Sequence, residues 1–234
     1  MVSIIITTYN RKNILPKALD SVLRQTYVDL EIIIVDDASI DGTEEFIKQE
    51  FKDPRIKYYR MASNNGATAA RNFGLDKISG DYFLVWDSDD TLYPNAIKTI
   101  IGIFNKNENL AIVSAPARSL LKNIEVAYPK ISDGIIKKEI VVCRLLPRNH
   151  KVRIAKTSLC GDIRYKAKNI DFLVNVEMAE RGNWYCLEKY LADVILESDN
   201  NSLTIHRKKT DLRLSALRAP YLAEYLIKYE ALLK

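Results

Sequence analysis

The first half of the chain alternates short, almost continuously apolar runs with segments whose apolar residues keep helical spacing. The apolar runs are residues 2–8, 30–35, 82–86 and 110–113, with a shorter mixed run at 56–60. Their β-branched residues and near-continuous apolar character are typical of strands covered on both faces. Segments with helical spacing begin near residues 13, 43, 67 and 94. The alternation predicts a doubly wound, Rossmann-like α/β fold, with a mostly parallel central sheet and helices on both faces.

Polar residues follow three of these predicted strands immediately. Thr7 and Tyr9 close the first strand with Asn10 beyond them, Asp36 closes the second strand, and the segment 87–90 closes the fourth. Open parallel sheets bind their ligands beyond the carboxyl ends of the strands, so a single crevice collects all three ends. The sequence therefore predicts a functional site at this edge of the sheet.

The segment after the fourth strand, Asp87-Ser88-Asp89-Asp90, concentrates negative charge within four positions. A cluster of like charges is costly unless positive charge accompanies it. Mg²⁺ or Mn²⁺ is the usual partner, since both ions prefer carboxylate oxygens and keep positions open for phosphate oxygens. The alternative that this pattern leaves open is a solvated acidic turn that leads into the helix near Pro94.

No Walker A motif and no G-x-G-x-x-G motif occurs in the sequence, so no glycine loop is expected to hold phosphates. A metal at the aspartates is the natural substitute, because it bridges diphosphate oxygens. Tyr9 is then a candidate to stack on a base, Asp36 to accept a base or ribose hydrogen bond, and Arg71 to pair with a carbonyl or phosphate. The alternatives are that Tyr9 packs in the protein, Asp36 caps the next helix and Arg71 lies on a helix surface.

The second half of the chain is less regular than the first. Its predicted elements are a strand pair in 116–129, a helix in 135–146, a strand with one charged face in 148–153, a helix in 170–182, and strands in 185–187 and 191–196. A last amphipathic helix is predicted from residue 220 onward, after the basic segment 206–218.

Composition restricts the class of protein. The chain has 234 residues, of which 47% are hydrophobic and 28% charged, as expected for a globular protein. No apolar run is long enough to span a membrane, and no basic segment precedes the first apolar run, so we expect no signal peptide. The three cysteines are far apart and odd in number, which indicates reduced thiols and a cytoplasmic location.

The net charge of +5 is unevenly distributed, with a small acidic excess in residues 1–115 and a basic excess in the remainder. The basic part would suit an anionic partner. The segment 206–218 and the final helix predict a peripheral hold on the inner face of an anionic membrane, with packing of that helix on protein as the alternative. Nucleic acid is not expected as a partner, since the basic residues are not interleaved with aromatic residues in any known module.

The motifs of the first half, in their order and spacing, resemble the inverting family 2 glycosyltransferases of the GT-A fold. The motifs are the segments 3–10, 19–27, 31–43, 65–72 and 87–90, which together cover roughly residues 2–95. The resemblance implies a nucleotide-diphosphate-sugar donor, linked to UDP or GDP, and a Mn²⁺ or Mg²⁺ cofactor. It implies an acceptor that is a carbohydrate or a lipid phosphate.

The resemblance also assigns roles to individual residues. It places four residues around the base, namely Thr7, Tyr9, Asp36 and Arg71. The full set expected to bind the nucleotide sugar is Thr7, Tyr9, Asn10, Asp36, Arg71, Asp87 and Ser88. Asp87 goes near the ribose and sugar, and Asp89 goes on the metal, with Asp87 as a second expected metal ligand.

In the second half, the family commonly has a Glu-Asp pair that opens a helix ending at a glycine. Counting back from Gly182 puts Asp171 on the aspartate of this pair and Ile170 on the glutamate. The resemblance thus implies that Asp171 is the general base that deprotonates the acceptor hydroxyl. The chain departs from the family at Ile170, and the segment 197–199 stands where the family has Arg-x-His.

We therefore expect a nucleotide-sugar-binding half at 1–115, an acceptor-binding half at 116–205, and a basic segment with an amphipathic helix at 206–234. Glycosyl transfer is the leading hypothesis. A nucleotidyltransferase is one alternative, but it usually has an early glycine-rich loop, and only Gly42 precedes residue 66. The other alternative is a non-catalytic module that binds a nucleotide sugar.

Overall fold

The computed structural model describes residues 1–121, 124–126, 132–136, 150–166 and 171–195. Its first half contains the predicted alternation of strands and helices. The strands are β1 (Val2–Thr8), β2 (Leu30–Asp36), β3 (Ile56–Arg60), β4 (Tyr82–Asp87), β5 (Thr91–Leu92) and β6 (Leu110–Ala115). The helices are α1 (Leu15–Leu23), α2 (Thr43–Glu50), α3 (Ala67–Leu75) and α4 (Ala96–Phe104). The short strand β5 is the one element here that the apolar pattern did not predict.

The described part of the second half adds six strands and two helices. The strands are β7 (Ala117–Leu121), β8 (Ile124–Val126), β9 (Gly134–Ile136), β10 (Val152–Lys156), β11 (Asn183–Cys186) and β12 (Ala192–Ile195). The helices are α5 (Thr157–Cys160) and α6 (Asp171–Arg181). The predicted strand pair is β7 and β8, which pair in antiparallel fashion, and the predicted helix over 170–182 is α6.

Eight strands form the main sheet in the order β3-β2-β1-β4-β10-β6-β11-β9. The strands β3, β2, β1 and β4 run parallel to one another, and β6 is parallel to β11. Strand β10 is antiparallel to both β4 and β6, and β9 is antiparallel to β11. The sheet is therefore mostly parallel, as predicted. A second sheet has the order β5-β12-β7-β8.

Both faces of the main sheet are covered. Successive residues of a strand point to opposite faces, yet Ile4, Ile5 and Ile6 of β1 are all fully buried. On one face, α3 lies so close to β1 that a Cβ atom on Gly74 would come within 2.4 Å of Ile5 Cγ2. A glycine at this position therefore lets α3 pack directly on the strand, which fixes the helix that carries Arg71.

The prediction of a helix over residues 135–146 is wrong at the start of this range. Ile135 and Ile136 belong to β9, which pairs with β11 at the edge of the main sheet. Both residues are β-branched, so they suit a strand, and pairing with a sheet edge outweighs weak helical spacing. Residues 137–149 lie outside the described part of the chain.

The two predicted halves share one sheet, because β10 of the second half lies between β4 and β6 of the first. The boundary at residue 115 remains a prediction about function. The basic segment 206–218 and the final helix lie outside the described residues, so their contact with a membrane also stays a prediction. Among the helices that the structure describes, none has the length and apolar character needed to cross a membrane.

Candidate active site

Strand β1 is the point at which the order of strands in the main sheet changes direction. Strands β2 and β3 follow on one side of β1, and the connection through α3 then crosses to β4 on the other side. Such a switch point opens a crevice beyond the carboxyl ends of parallel strands. Thr7 lies opposite Asp87 in the strand register, and Thr8 lies opposite Asp36. The three polar strand ends therefore lie side by side at this crevice.

Asp87, Asp89 and Asp90 form an acidic group at the end of β4. Carboxylate oxygens from the three residues all lie within 4.8 Å of one another. The turn that brings them together is closed by the backbone, since Asp90 N–H donates to the Asp87 carbonyl over 3.3 Å. The buried Trp86 also donates from Nε1 to the Asp90 carbonyl over 3.2 Å. The fold thus holds three carboxylates close together in spite of their like charge.

Two cations from distant parts of the chain contact the acidic group. Arg71 on α3 donates from Nη2 to Asp87 Oδ1 over 3.0 Å. The Lys151 ammonium lies 3.7 Å from Asp87 Oδ2 and 3.6 Å from Asp90 Oδ2. Both contacts depend on the sheet order, because α3 connects to β4 and Lys151 directly precedes β10, the neighbour of β4.

A third cation, Arg11, reaches the acidic group from the loop after β1. Its Nη1 lies 3.1 Å from Asp89 Oδ2 and also donates to Ser88 Oγ over 2.9 Å. Arg11 therefore spans the switch point, from the end of β1 to the end of β4. Ser88 is buried, so in this arrangement its hydroxyl serves to orient Arg11.

The three cations do not act equally on the aspartates. Burial raises the pKa of Asp87, but the charges of Arg71 and Lys151 outweigh burial and hold this pKa well below its ordinary value. Burial also raises the pKa of Asp89, and here Arg11 does not compensate, so the pKa lies above its ordinary value. The nearby charge of Asp87 raises it further. Additional positive charge would therefore favour the ionised form of Asp89.

Asp36 is completely buried at the end of β2. Its Oδ1 accepts the N–H and the hydroxyl of Ser39 over 2.8 and 2.5 Å, and the Tyr58 hydroxyl donates to Oδ2 over 2.5 Å. Burial and the bond to Asp36 raise the pKa of Tyr58 far above its ordinary value. These contacts stabilise the turn after β2. Asp36 does not cap α2, because Gly42 occupies the N-cap position of that helix. Contact of Asp36 with a base stays a prediction.

The loop after β1 carries Tyr9 and Asn10. Tyr9 is 39% exposed, so its ring is accessible from solvent. Asn10 has a positive φ of 51°, a conformation that asparagine tolerates better than most residues. Its N–H donates to Ser39 Oγ over 2.8 Å, and its Oδ1 accepts the N–H of Ile40 over 2.8 Å. Asn10 thus joins the loops that follow β1 and β2.

Asp37 has a positioning role that the sequence did not indicate. Its two carboxylate oxygens accept the N–H groups of Asn65 and Gly66, over 2.8 and 2.7 Å. Gly66 directly precedes α3 and has a φ of 86°, which glycine adopts without strain. Asp37 therefore ties the end of β2 to the start of the helix that carries Arg71.

Residues 3–150 match the family model described as Glycosyl transferase family 2. The chain belongs to glycosyl transferase family 2. An uncharacterised glycosyltransferase of Rickettsia typhi is 35% identical over 168 residues, and one of Rickettsia prowazekii is 41% identical over 167 residues. Each alignment covers 71% of this chain and 52% of the relative, so the chain spans about half the length of these relatives.

Two further similarities concern larger proteins. A chondroitin synthase of Pasteurella multocida is 29% identical over 211 residues, which are 87% of this chain and 21% of the synthase. The structure of Staphylococcus aureus TarS 1-349 in complex with UDP-GlcNAc superposes with a TM-score of 0.74 at 19% identity, over 85% of this chain and 59% of that chain. This similarity confirms the expected GT-A fold.

Arg11 and Lys151 contact the acidic group of this family 2 chain, but the sequence did not single them out as site residues. Arg11 had a local signal, since it directly follows the Tyr9-Asn10 pair. Lys151 lies in the basic segment 148–153, which was predicted only to be a strand with one charged face. Its contact with the acidic group depends on how β10 pairs, which no local pattern shows.

Tyr165 is another residue of the site that no pattern in the sequence singled out. The Arg71 guanidinium lies 5.4 Å from the centre of the Tyr165 ring, within the range of a cation–π contact. Asn72 holds Tyr165 in place, since its side chain donates to the Tyr165 carbonyl over 2.9 Å and accepts the Tyr165 N–H over 2.8 Å. Together these contacts fix the position of Arg71.

Asp171 is the first residue of α6, as counting back from Gly182 predicted. A carboxylate in the first turn of a helix is favoured by the helix dipole. The structure describes the side chains of this helix from Val174 onward. The role of Asp171 as the general base therefore stays a prediction.

The acidic group fits a Mn²⁺ or Mg²⁺ ion by its chemistry. Its donors are carboxylate oxygens, which these hard cations prefer, and one oxygen from each of three residues lies within 4.8 Å of the others. Burial and the charge of Asp87 raise the pKa of Asp89, and a bound cation would favour its ionised form. A solvated acidic turn does not account for two partly buried aspartates beside a buried one.

Proposed function

We propose that the chain transfers a sugar from a nucleotide-diphosphate donor to an acceptor hydroxyl, in a metal-dependent reaction that inverts the anomeric centre. The observation that carries this proposal is the acidic group, whose three carboxylates lie within 4.8 Å of one another at the switch point of the sheet. Membership of glycosyl transferase family 2 gives the reaction class.

The comparisons support a UDP-linked donor and a carbohydrate acceptor, and a GDP-linked donor is the alternative that the family resemblance leaves open. The structure with the similar fold was solved with UDP-GlcNAc, and relatives include a chondroitin synthase and a hyaluronan synthase. These names describe the other proteins, and they suggest a growing polysaccharide as acceptor here. A lipid phosphate is the other acceptor that we propose to test.

We assign the donor to the crevice beyond β1, β2 and β4. Tyr9 would stack on the base, because its ring is exposed at the end of β1. Thr7, Asn10 and Asp36 would shape the base and ribose subsite, and Arg71 would pair with a donor carbonyl or phosphate.

The remaining donor contacts belong to the end of β4. Asp87 and Ser88 would contact the ribose and sugar, and Asp89 with Asp87 would hold the metal. The bound cation would supply positive charge to the donor diphosphate as it departs.

The proposed transfer is a single displacement. The acceptor oxygen forms a bond to the anomeric carbon while the bond from that carbon to the diphosphate oxygen breaks. Asp171 takes the proton of the acceptor hydroxyl, and the bonding electrons leave with the nucleoside diphosphate. Attack from the face opposite the leaving group inverts the anomeric centre.

Calorimetric titration with UDP and with GDP, each with and without Mn²⁺, tests the donor site. We expect binding that requires Mn²⁺. We expect Asp89→Asn to weaken this binding by more than about 100-fold, because loss of a residue that only supports a metal ligand already costs up to about 100-fold. Asp162→Asn is the matched control, because Asp162 is 67% exposed and pairs with Arg181 and not with a residue of the acidic group. Equal binding with and without Mn²⁺ would reject the metal site.

Donor turnover tests the reaction. Asp171→Asn should keep Mn²⁺-dependent binding and lower cleavage of a UDP- or GDP-sugar by about 100-fold or more, the range for loss of a general base. Unchanged cleavage would remove Asp171 as the base. Release of pyrophosphate in place of nucleoside diphosphate would identify a nucleotidyltransferase. Binding without cleavage under any acceptor condition would identify a non-catalytic module.

A further inference from the structure

Lys151 contacts the acidic group, but the proposed reaction assigns it no role. Its ammonium lies between two carboxylates of the acidic group, 3.7 Å from Asp87 Oδ2 and 3.6 Å from Asp90 Oδ2. It lies one residue beyond the segment 3–150 that matches the family model. Lys151 is therefore a feature of this chain that the family motifs do not assign.

The backbone on both sides of Lys151 is fixed. On one side, His150 is buried, with Nδ1 3.4 Å from Ser114 Oγ on β6. On the other side, Val152 opens β10 and lies opposite Ala115 of β6. The lysine stem therefore starts from a rigid position next to the carboxyl end of β4.

The charged end of Lys151 is less confined than those of the two arginines at the site. The Lys151 side chain is 35% exposed, whereas that of Arg11 is 13% exposed and that of Arg71 is 10% exposed. Arg71 is also held against Tyr165. A lysine has a flexible four-carbon stem that ends in a compact charge. Of these three cations, Lys151 is the one best able to move its charge.

We propose that Lys151 neutralises Asp87 and Asp90 before ligand binding and turns to the donor diphosphate when the metal and donor bind. This inference rests on the proposed function, because it assumes that the acidic group holds a divalent cation. A cation bound by those carboxylates would repel an ammonium that stays within 4 Å of them. The diphosphate brings negative charge to the same place, so it offers the lysine a new partner within reach of its stem.

The proposal predicts opposite effects on two binding steps. Removing the Lys151 charge takes away a competitor for the carboxylates, so Mn²⁺ alone should bind more tightly. The same change removes a partner of the diphosphate, so the nucleotide should bind less tightly once Mn²⁺ is saturating. A lysine with a purely structural role would not produce opposite changes, because loss of the local fold weakens both steps.

Calorimetry on Lys151→Gln measures both steps, with Mn²⁺ alone and then with UDP or GDP, whichever the wild-type chain binds, at saturating Mn²⁺. We expect Mn²⁺ to bind about tenfold more tightly and the nucleotide about tenfold less tightly, as for loss of one charge near a surface. Lys151→Arg keeps the charge and should show neither tenfold change. Lys156→Gln is the matched control at the far end of β10, since Lys156 donates to the Glu108 carbonyl.

The outcomes separate this inference from the proposed function. If the wild-type chain binds nucleotide with Mn²⁺ but Lys151→Gln leaves either affinity unchanged, the lysine exchange is wrong and the proposed function stands. The exchange is also wrong if both affinities fall together. If the wild-type chain binds neither nucleotide in the presence of Mn²⁺, the proposed function fails, and the inference fails with it.

Discussion

Two carboxylate sites lie at opposite ends of the same parallel strands, and they differ in how many donors the chain supplies to each carboxylate. At the amino-terminal edge, Glu31 of β2 is a single carboxylate with several donors. Its Oε1 accepts from Ser3 Oγ over 2.5 Å and from the N–H and hydroxyl of Ser79 over 2.6 and 2.9 Å. Its Oε2 accepts from Lys57 Nζ over 2.7 Å.

The electrostatic result differs between the two edges. Burial raises the pKa of Glu31, but the bonds from Lys57, Ser3 and Ser79 outweigh burial and lower this pKa to about 2. At the carboxyl-terminal edge, burial outweighs Arg11 and raises the pKa of Asp89. The Glu31 site is thus complete within the chain, whereas the acidic group would gain from further positive charge. We infer that the first site stabilises the fold and that the second awaits a ligand.

The largest effect expected from this comparison is the loss of stability in Glu31→Gln. The Glu31 side chain is 4% exposed, and an amide there would place its NH2 group against either Lys57 or the donors of Ser3 and Ser79. We expect the free energy of unfolding at pH 7 to fall by about 2 kcal/mol, because donors to a buried carboxylate would lose their charged acceptor. Urea denaturation measures it. Asp162→Asn, at an exposed ion pair, should change it by less than about 0.5 kcal/mol.

The same variant should keep Mn²⁺-dependent nucleotide binding, because Glu31 lies at the edge away from the crevice. Loss of nucleotide binding in a folded Glu31→Gln protein would contradict the division of the two edges into a structural and a ligand-binding site. A change in unfolding free energy as small as that of the Asp162 control would contradict the structural role of Glu31.

The pH dependence of stability provides a second, smaller effect at Glu31. Its pKa is about 2 in the fold and 4.5 for the ordinary group, so the folded state favours the ionised form. The stabilisation is therefore fully present above pH 4.5 and is lost as the pH falls towards 2. The difference in unfolding free energy between the wild-type chain and Glu31→Gln should shrink between pH 6 and pH 3. A difference that stays constant over this range would rule out Glu31 as its source.

The sequence predicted the acidic group better than the Glu31 site, for a physical reason. Runs of apolar residues define the strands, and residues directly after a strand must lie at its carboxyl end, so Asp36, Asp87 and Asp89 could be placed together. Glu31 lies inside a strand that was predicted from its apolar neighbours. Its donors come from three separate segments, and only the folded sheet brings them together.

Long-range antiparallel pairing explains the residues of the crevice that were missed. Strand β10 lies between β4 and β6, although it follows β6 by several elements in the chain. The basic character of segment 148–153 was visible, but no local pattern could show that Lys151 reaches Asp87. The same limit explains β9, where a sheet edge recruits Ile135 and Ile136 into a strand. Local periodicity therefore predicted the order of elements but not these partners.

At the acidic group, Asp89→Asn should give the smallest change in stability of the variants at the two sites. The raised pKa of Asp89 means that the fold disfavours its ionised form, so a neutral amide relieves repulsion from Asp87 while it gives up the Arg11 pair at 3.1 Å. These effects oppose each other, and a raised pKa means that ionisation of Asp89 does not stabilise the fold, so we expect the unfolding free energy without metal to stay within about 1 kcal/mol of wild type.

Manganese should then separate Asp89→Asn from Glu31→Gln. At ten times its Kd, Mn²⁺ should stabilise the wild-type chain by about 1.4 kcal/mol through binding to the folded state. Glu31→Gln should gain the same unfolding free energy from Mn²⁺, although it is less stable without the ion, because its acidic group is intact. Asp89→Asn should lose this gain. Urea denaturation with and without Mn²⁺ measures the increment in all three proteins. If Asp89→Asn kept the full increment, the ion would bind elsewhere, and the raised pKa of Asp89 would reflect only burial and the charge of Asp87.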